Sequence, residues 1–490
     1  MNDAPVRVQL ALVSHTNNGK TTLARTLLGM DVGEVRDAAH VTLSSDAHPL
    51  LTSSTGDALL LWDTPGFGDS VRLLRRLGMA DNPIGWFLRE VLDRYRDRPF
   101  WLSQQALRTA RDSADVVLYL VNSAENPGDA GYLAAEMNIL QWLGKPVVVL
   151  LNQMGPPRPA PDEQAELKRW SRHLAAFPIV RKVLALDAFA RCWVHERVFY
   201  EAIGEWIALE KADGYARLRA AWDANNETRF QASMRLTAQQ LAAAARDSQA
   251  VGAESKSLLN SALQATGLRK AGNLQRQDQA MGILVERLNN GIAETTRQLL
   301  ALHRLDPGEA TRINQRVREN FAVRAPIDKA QAGLLGAVLS GAATGLSADL
   351  MAGGLSLGAG ALLGSVVGAL GFAGAAWGFN ASTDRDQTTV RFTGEFLRTL
   401  LVASVLRYLT VAHFGRGRGH FAQSEAPAFW QTEVEQAVAA ETAAVGRLWQ
   451  ALRLPSSEAD ASDAAQAVLL RITSSVLRQL YPAAGETHRA

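Results

Sequence analysis

A lysine–threonine pair near the start of the chain has the spacing of a phosphate-binding loop. Residues 14–21 read S-H-T-N-N-G-K-T, which fits the pattern G-x-x-x-x-G-K-[ST] except that Ser14 replaces the first glycine. In such a loop Lys20 reaches the terminal phosphates of a nucleotide, and the hydroxyl of Thr21 binds Mg²⁺. The pattern assigns nucleotide binding to Asn17, Asn18, Gly19, Lys20, Thr21 and Thr22.

An aspartate further along has the surroundings of a second phosphate motif. Asp63 follows the apolar run 59–62 and begins the sequence D-T-P-G, which matches D-x-x-G. The aspartate of this motif binds magnesium, and the N–H of its glycine, here Gly66, contacts the γ-phosphate. A threonine between the two motifs should close on the metal. We choose Thr42, with Thr52 and Thr55 as alternatives, so that the predicted metal ligands are Thr21, Thr42 and Asp63.

A third motif should bind the base, and here the sequence departs from the expected pattern. An apolar run leads into N-Q-M-G at residues 152–155, where N-K-x-D is expected. Asn152 matches and Gln153 replaces the lysine, but Gly155 replaces the aspartate that would accept hydrogen bonds from guanine. Loss of such an acceptor relaxes discrimination between bases. Asp187 is an alternative carboxylate, and guanine or adenine both stay open at this point.

The three motifs require elements that bring them to one edge of a fold. Apolar strand-like runs alternate with helix-like segments: strands at 6–14, 57–63, 114–122, 145–152 and 180–187, and helices at 20–28, 129–143 and 193–208. This alternation predicts an α/β P-loop NTPase fold, with a mostly parallel sheet and helices on both faces. Ligands bind at the carboxyl ends of such strands, and all three motifs follow a strand.

Residues 6 to about 208 resemble the G domain of Ras-like GTPases of the Era and TrmE group. The whole chain resembles a bacterial family that joins such a domain to a C-terminal region of unknown function, and in that family N-Q-x-G is the usual form of the base loop. The resemblance implies binding of GTP and GDP with Mg²⁺, GTPase activity with low turnover, and pairing of G domains in a homodimer. It also implies K⁺ at Asn17, where a loop asparagine bonded to its own backbone is the alternative. Phe67 stands where Ras-type enzymes carry the glutamine that orients water, so the catalytic group is not identified.

Composition sets limits on partners and location. The chain has 490 residues, with 51 basic and 49 acidic side chains, so its net charge gives no overall attraction to nucleic acid. The one cysteine, Cys192, fits a reducing compartment. Residues 1–5 are polar and do not resemble a signal peptide, so we expect a cytoplasmic protein.

The C-terminal part is predicted to be mainly α-helical. The strand signal disappears after about residue 209, and apolar residues recur at helical spacing, as in Leu218, Trp222 and Phe230. We divide the chain into a G domain at 1–208, a helical region at 209–329, a glycine-rich hydrophobic hairpin at 330–383 and a helical region at 384–490. Within the last region, 455–463 is predicted to be a linker.

The glycine-rich hairpin is the most unusual segment. Residues 330–383 contain one charged residue, Asp349, and several glycines four residues apart, a spacing that lets helices approach closely. Two spans near 331–348 and 355–379 are long enough to cross a membrane. A tightly packed soluble hairpin is the alternative, because glycine and alanine contribute little to insertion. If the hairpin inserts into a membrane, we expect the protein to lie at the inner face of the cytoplasmic membrane.

Taken together, these features predict a protein that binds GTP, hydrolyses it slowly and couples its nucleotide state to a helical, membrane-associated C-terminal half. Two alternatives stay open. Gly155 favours an ATPase or an NTPase of relaxed specificity, and Phe67 favours a membrane scaffold that binds nucleotide without hydrolysing it.

Overall fold

The structure is a computed structural model that gives two compact units within one chain. The residues it describes are 4–15, 17–28, 46–64, 66–67, 70–77, 101, 104, 107, 110–155, 158–186, 192–251, 268–305, 377–381, 388–413, 428–455 and 457–482. The first unit comprises 1–228, 412–425 and 478–490, and the second comprises 229–411 and 426–477.

A six-stranded sheet forms the centre of the first unit. Its strands are Arg7–Ser14 (β1), Asp46–Thr52 (β2), Ala58–Asp63 (β3), Val116–Asn122 (β4), Val147–Asn152 (β5) and Val180–Ala185 (β6). Their order across the sheet is β2-β3-β1-β4-β5-β6. Only β2 runs antiparallel to its neighbour, whereas the other adjacent strands are parallel. The carboxyl ends of β1, β3, β4 and β5 therefore lie at one edge.

Helices cover both faces of this sheet. They are Lys20–Leu28 (α1), Ser70–Leu77 (α2), Leu133–Leu143 (α3), Ala160–Leu174 (α4), Trp193–Gly204 (α5) and the first part of Leu209–Arg246 (α6). Successive residues of β1 point to opposite faces, so Leu12 joins one hydrophobic core and Val13 the other. The first core includes Leu23 of α1, Phe199 of α5 and Leu218 of α6, and the second includes Leu73 of α2, Leu140 of α3 and Trp170 of α4.

Two ion pairs fix the start of α6 at the amino edge of the sheet. Arg217 contacts the buried carboxylate of Asp57 through both Nε (2.7 Å) and Nη2 (2.8 Å). Lys211 donates to Asp115, whose carboxylate also accepts from the backbone N–H of Gln9. Asp57 and Asp115 immediately precede β3 and β4, so α6 is anchored at the edge opposite the predicted motifs.

The second unit is mainly helical. Besides the rest of α6 it contains Leu268–Leu302 (α7), Gly394–Ala412 (α8), Ala428–Ala440 (α9), Thr442–Leu452 (α10) and Glu458–Leu480 (α11), together with Ser248–Ala250 (β7), Trp377–Ala381 (β8) and Thr388–Phe392 (β9). Contacts from α6 to α8, to α11 and to the turn that follows α7 define its interior. Ser233 Oγ lies 3.3 Å from His303 Nε2, Gln466 Nε2 donates to the carbonyl of Gln231, and Tyr408 packs on Phe230.

The predicted fold class is confirmed: a mostly parallel α/β sheet with helices on both faces, followed by a mainly helical region. The prediction that strands end at about residue 209 is wrong, because β7, β9 and β8 form a three-stranded antiparallel sheet. The predicted span 355–379 therefore ends in a strand, whereas 306–376 and 382–387 lie outside the described residues. The predicted linker 455–463 is also too long, since α11 already begins at Glu458.

Among the described residues, no helix has both the length and the apolar character needed to span a membrane.

Candidate nucleotide-binding site

The phosphate-binding loop joins the carboxyl end of β1 to the amino end of α1. Two of its residues have positive φ, Asn17 at 67° and Gly19 at 83°. Glycine adopts this conformation without strain, whereas other residues do so at a cost. The carbonyl of Gly19 accepts a hydrogen bond from Leu23 N at 2.9 Å, and Thr22 is buried in the first turn of α1. The loop therefore presents a helix amino terminus, which favours anions.

Lys20 lies in the interior of this loop. Its side chain is buried, and its Nζ donates a hydrogen bond to Ser14 Oγ at 3.1 Å. Burial lowers the pKa of the Lys20 ammonium from its ordinary value, while the charges of Asp63 and Glu136 act in the opposite direction. A polyphosphate next to this ammonium would stabilise its charged form. Ser14, the departure from the glycine pattern, thus supplies the hydroxyl that holds the lysine.

Thr21 and Asp63 meet at the carboxyl end of β3. Thr21 Oγ1 donates to Asp63 Oδ2 at 3.0 Å, and the Asp63 side chain is buried. A hydroxyl and a carboxylate are oxygen donors of the kind that Mg²⁺ prefers, so these two residues fit the ion that the P-loop fold implies. Gly66, three residues after Asp63, is buried, and Phe67 N donates to Ser14 O at 2.9 Å.

The third predicted metal ligand, Thr42, lies outside the described residues. The two alternatives, Thr52 and Thr55, lie at the opposite end of β3 from Asp63. Thr52 pairs with Ala58 at the amino end of β3, and Thr55 donates to Asp57 in the turn between β2 and β3. Asp63 is at the other end of β3, so Thr52 and Thr55 are wrong as alternatives.

The base loop follows β5 and contacts the phosphate loop directly. Asn152 is buried, and its Nδ2 donates to the carbonyl of Asn18 at 2.9 Å. Gln153, with φ at 58°, points Nε2 toward the carbonyl of Asn17 at 3.5 Å. The structure thus brings Asn152 and Gln153 together with the phosphate loop, as a shared nucleotide site requires.

Gly155 and Asp187 are the two positions on which base recognition depends. Gly155 has φ at 79°, and among the described residues no atom lies within 4 Å of a Cβ built on it. Within the described part of the chain, a side chain at position 155 would therefore meet no atom at its Cβ. Asp187 lies outside the described residues, so its role as a substitute carboxylate stays a prediction.

One buried carboxylate at this site, Glu136 on α3, belongs to none of the sequence motifs. It lies 2.7 Å from His15 Nδ1 in the phosphate loop, and it also accepts hydrogen bonds from Ser70 and Tyr119. A charged residue on the buried face of the apolar segment L-A-A-E-M-N-I-L was the available signal. Nothing local in the sequence says which residues it contacts, because His15 precedes it by 121 positions.

Two family models match the chain. One, described as a 50S ribosome-binding GTPase, matches residues 9–153. The other, described as a domain of unknown function (DUF3482), matches residues 173–472, which is more than half of the chain. No curated protein sequence matches the chain.

Several solved structures are similar to the chain. Era from Aquifex aeolicus bound to GDP and AlF₄⁻ is 18% identical, with 41% of this chain and 57% of that chain covered and a TM-score of 0.32. Era in complex with MgGDPNP and nucleotides 1506–1542 of 16S ribosomal RNA is 19% identical, with 42% and 58% covered and a TM-score of 0.30. A probable GTP-binding protein, engB, is 15% identical, with 40% and 99% covered and a TM-score of 0.27. The chain spans less than two thirds of the length of the two Era structures.

Proposed function

The chain belongs to the family defined by the domain of unknown function DUF3482 and carries a P-loop GTPase domain ahead of that region. We propose that the protein binds GTP with Mg²⁺ and hydrolyses it slowly as a nucleotide switch. The observation that carries the proposal is the meeting of Thr21 and Asp63, 3.0 Å apart, beside the buried Lys20 at the carboxyl edge of the sheet. Two separate elements supply these groups: Lys20 and Thr21 begin α1, and Asp63 ends β3.

Each residue has a distinct task in this proposal. Lys20 gives up its hydrogen bond to Ser14 and pairs with the β- and γ-phosphates, while the N–H groups of the loop and the start of α1 contact the phosphate oxygens. Mg²⁺, when bound, neutralises charge on the phosphates. Thr21 and Asp63 hold that ion, with Thr42 as the third proposed ligand. Gly66 offers its N–H to the γ-phosphate.

Substitution of Lys20 tests the nucleotide site directly. Lys20→Ala removes the cation buried inside the phosphate loop, so GTP affinity should fall by roughly a hundredfold or more in equilibrium titrations with a fluorescent GTP analogue. Lys211→Ala, which alters a lysine at the opposite edge of the sheet, is the matched control and should bind like the wild type. Equal affinity of the Lys20→Ala and wild-type proteins would refute the assignment.

Slow hydrolysis is proposed because of the residue that follows the D-x-x-G motif. Phe67 is fully buried, and its side chain has no group that could orient water.

Asn17 is exposed in the phosphate loop, where a K⁺ ion could supply positive charge to the transition state. Turnover at high protein concentration, which allows G domains to pair, should be faster in K⁺ than in Na⁺. Equal turnover in the two salts, in the wild type and in Asn17→Ala, would contradict a potassium role. No turnover in either salt, with GTP still bound, would favour the scaffold that binds nucleotide without hydrolysing it.

Relaxed base specificity is a second candidate, supported by glycine at position 155, where the expected motif has an aspartate. Since no side chain at this position can accept from the guanine edge, ATP should compete with GTP more strongly than in a GTPase that has the aspartate. Competition titrations with ATP and GTP distinguish a GTP-specific site from a site of relaxed specificity. A large preference for GTP that disappears in Asp187→Ala would place the guanine acceptor at Asp187.

Membrane association through 330–383 is proposed on the composition of that segment. The experiment is fractionation of full-length protein and of a variant lacking 331–370, a deletion that spares strand β8. Full-length protein should sediment with membranes and the deletion variant should not. Full-length protein that fractionates as soluble without detergent would overturn membrane association and the proposed location at the inner membrane face.

A further inference from the structure

A buried carboxylate behind the phosphate loop joins three elements of the GTPase domain. Glu136 of α3 has an exposed fraction of 0%. Its Oε1 accepts from Ser70 Oγ at 2.7 Å and lies 2.7 Å from His15 Nδ1, while its Oε2 accepts from Tyr119 OH at 2.6 Å. Ser70 begins α2, His15 lies in the phosphate loop and Tyr119 is in β4.

The burial of this group has a physical consequence. A carboxylate removed from water is strongly destabilising unless charge and hydrogen bonds compensate for the lost hydration. Glu136 has donors on both oxygens, and the positively charged Lys20 is close enough to interact with it. The donors on Oε1 come from Ser70 and His15, so a shift of either residue leaves part of a buried charge unsatisfied. The carboxylate therefore resists separation of the phosphate loop from α2.

Thr64, Phe67 and Ser70, which follow Asp63 in the sequence, are linked to β1 and the phosphate loop at three successive points. Thr64 Oγ1 donates to Leu12 O at 2.7 Å, and Phe67 N donates to Ser14 O at 2.9 Å. The third point is the Ser70–Glu136–His15 link, in which the His15 ring also stacks on Tyr132 with centroids 4.0 Å apart. Gly66, the proposed contact of the γ-phosphate, lies between the first and second of these points.

We infer that Glu136 is a positioning residue for GTP hydrolysis, which acts through Ser70 and His15 to hold Gly66 in register with Lys20. This inference rests on the proposed function. Glu136 is not proposed to contact the nucleotide. GDP has no γ-phosphate, so its affinity depends on the phosphate loop and not on the position of Gly66. Loss of the Ser70 anchor should therefore lower the rate of the hydrolysis step and leave GDP affinity unchanged.

The test compares two serines that each donate to a buried carboxylate. Ser70→Ala removes the anchor near the site, and Ser53→Ala removes a hydrogen bond of 2.8 Å to Asp57 at the opposite end of β3. Both variants are made in the full chain, with single-turnover GTP hydrolysis and equilibrium binding of fluorescent GDP as the two measurements. Ser70→Ala should slow hydrolysis by about tenfold, the loss typical of one hydrogen bond to a charged group, with GDP affinity within about twofold of the wild type. Ser53→Ala should match the wild type in both.

A double-mutant cycle shows whether Ser70 acts through Glu136. Glu136→Gln keeps the size of the side chain and an acceptor oxygen but removes its charge, so Ser70→Ala should slow hydrolysis less in this background than in the wild type. The same loss in both backgrounds would overturn the inference. Unchanged hydrolysis in Ser70→Ala would also overturn the inference. A fall in GDP affinity that parallels the fall in hydrolysis would overturn it too, because such a fall indicates a structural role alone. A wild-type protein that neither binds nor hydrolyses GTP would overturn the proposed function itself, and Ser53→Ala would then be inactive too.

Discussion

Gly19 is a position where both the backbone conformation and the space beside it exclude a larger residue. A Cβ at Gly19 would lie 2.6 Å from Asn152 Nδ2, and the backbone there has φ at 83°. A left-handed conformation costs an L residue about 1–2 kcal/mol. Overpacking against the buried Asn152 adds about 1–3 kcal/mol. Gly19→Ala should therefore lower the free energy of unfolding by about 2–5 kcal/mol.

Two other glycines separate these contributions. Gly155 has φ at 79°, and no described atom lies within 4 Å of the position that a Cβ would take, so Gly155→Ala should lose about 1–2 kcal/mol from backbone strain alone. Gly131 has no positive φ, and no described atom lies within 4 Å of a Cβ built on it, so Gly131→Ala should stay within about 0.5 kcal/mol of the wild type. The assay is urea denaturation of the three full-length variants, with tryptophan fluorescence as the signal that monitors unfolding. If Gly19→Ala is no less stable than Gly155→Ala, the close approach of the phosphate loop to the base loop is refuted.

Two further predictions concern charge. The Arg217 guanidinium holds the pKa of the Asp57 carboxyl well below its usual range, so the stability from this pair is present above the unfolded pKa of about 4 and is lost as the pH falls through the folded pKa. Arg217→Ala should lower the urea midpoint at pH 7, with a difference from the wild type that shrinks below about pH 4; a constant difference would contradict the pairing. Arg407 is buried in α8, its Nε has no partner among the described residues, and burial lowers its pKa to about 10. Arg407→Met should raise the free energy of unfolding by about 1–3 kcal/mol in the same assay, and a loss of stability would show that the guanidinium is compensated.

The sequence predicts the elements whose signal is local. Helix α1 has the predicted bounds 20–28, because the G-K-T-T sequence marks its start and an apolar strand precedes it. Strands β4 and β5 are continuous apolar runs, which is the pattern of a parallel strand buried on both faces. The phosphate loop, the aspartate of β3 and the asparagine of β5 could therefore be assigned to one edge of the sheet from the sequence alone.

Elements whose stability comes from their neighbours could not be predicted in the same way. Strand β2 contains Pro49 and lies at the edge of the sheet, where proline is tolerated, so its sequence carries a weak strand signal. Strand β7 has only three residues, and its partner β9 lies well over a hundred residues away in the sequence. The Glu136 network is likewise non-local. Its donors come from the phosphate loop, α2 and β4, and only the fold brings them together.

Lys20, Thr21 and Asp63 are the residues proposed to bind GTP and Mg²⁺. The most direct measurement is the affinity of full-length protein for a fluorescent GTP analogue, in the wild type and in Thr21→Ala, with Mg²⁺ present and with Mg²⁺ removed by a chelator. If the proposed site binds the nucleotide through Mg²⁺, chelation should weaken binding by the wild type by roughly tenfold or more. It should have little effect on Thr21→Ala, because the variant has lost a ligand of the ion. Equal affinity with and without Mg²⁺ in the wild type, or an equal effect of chelation on both proteins, would contradict it.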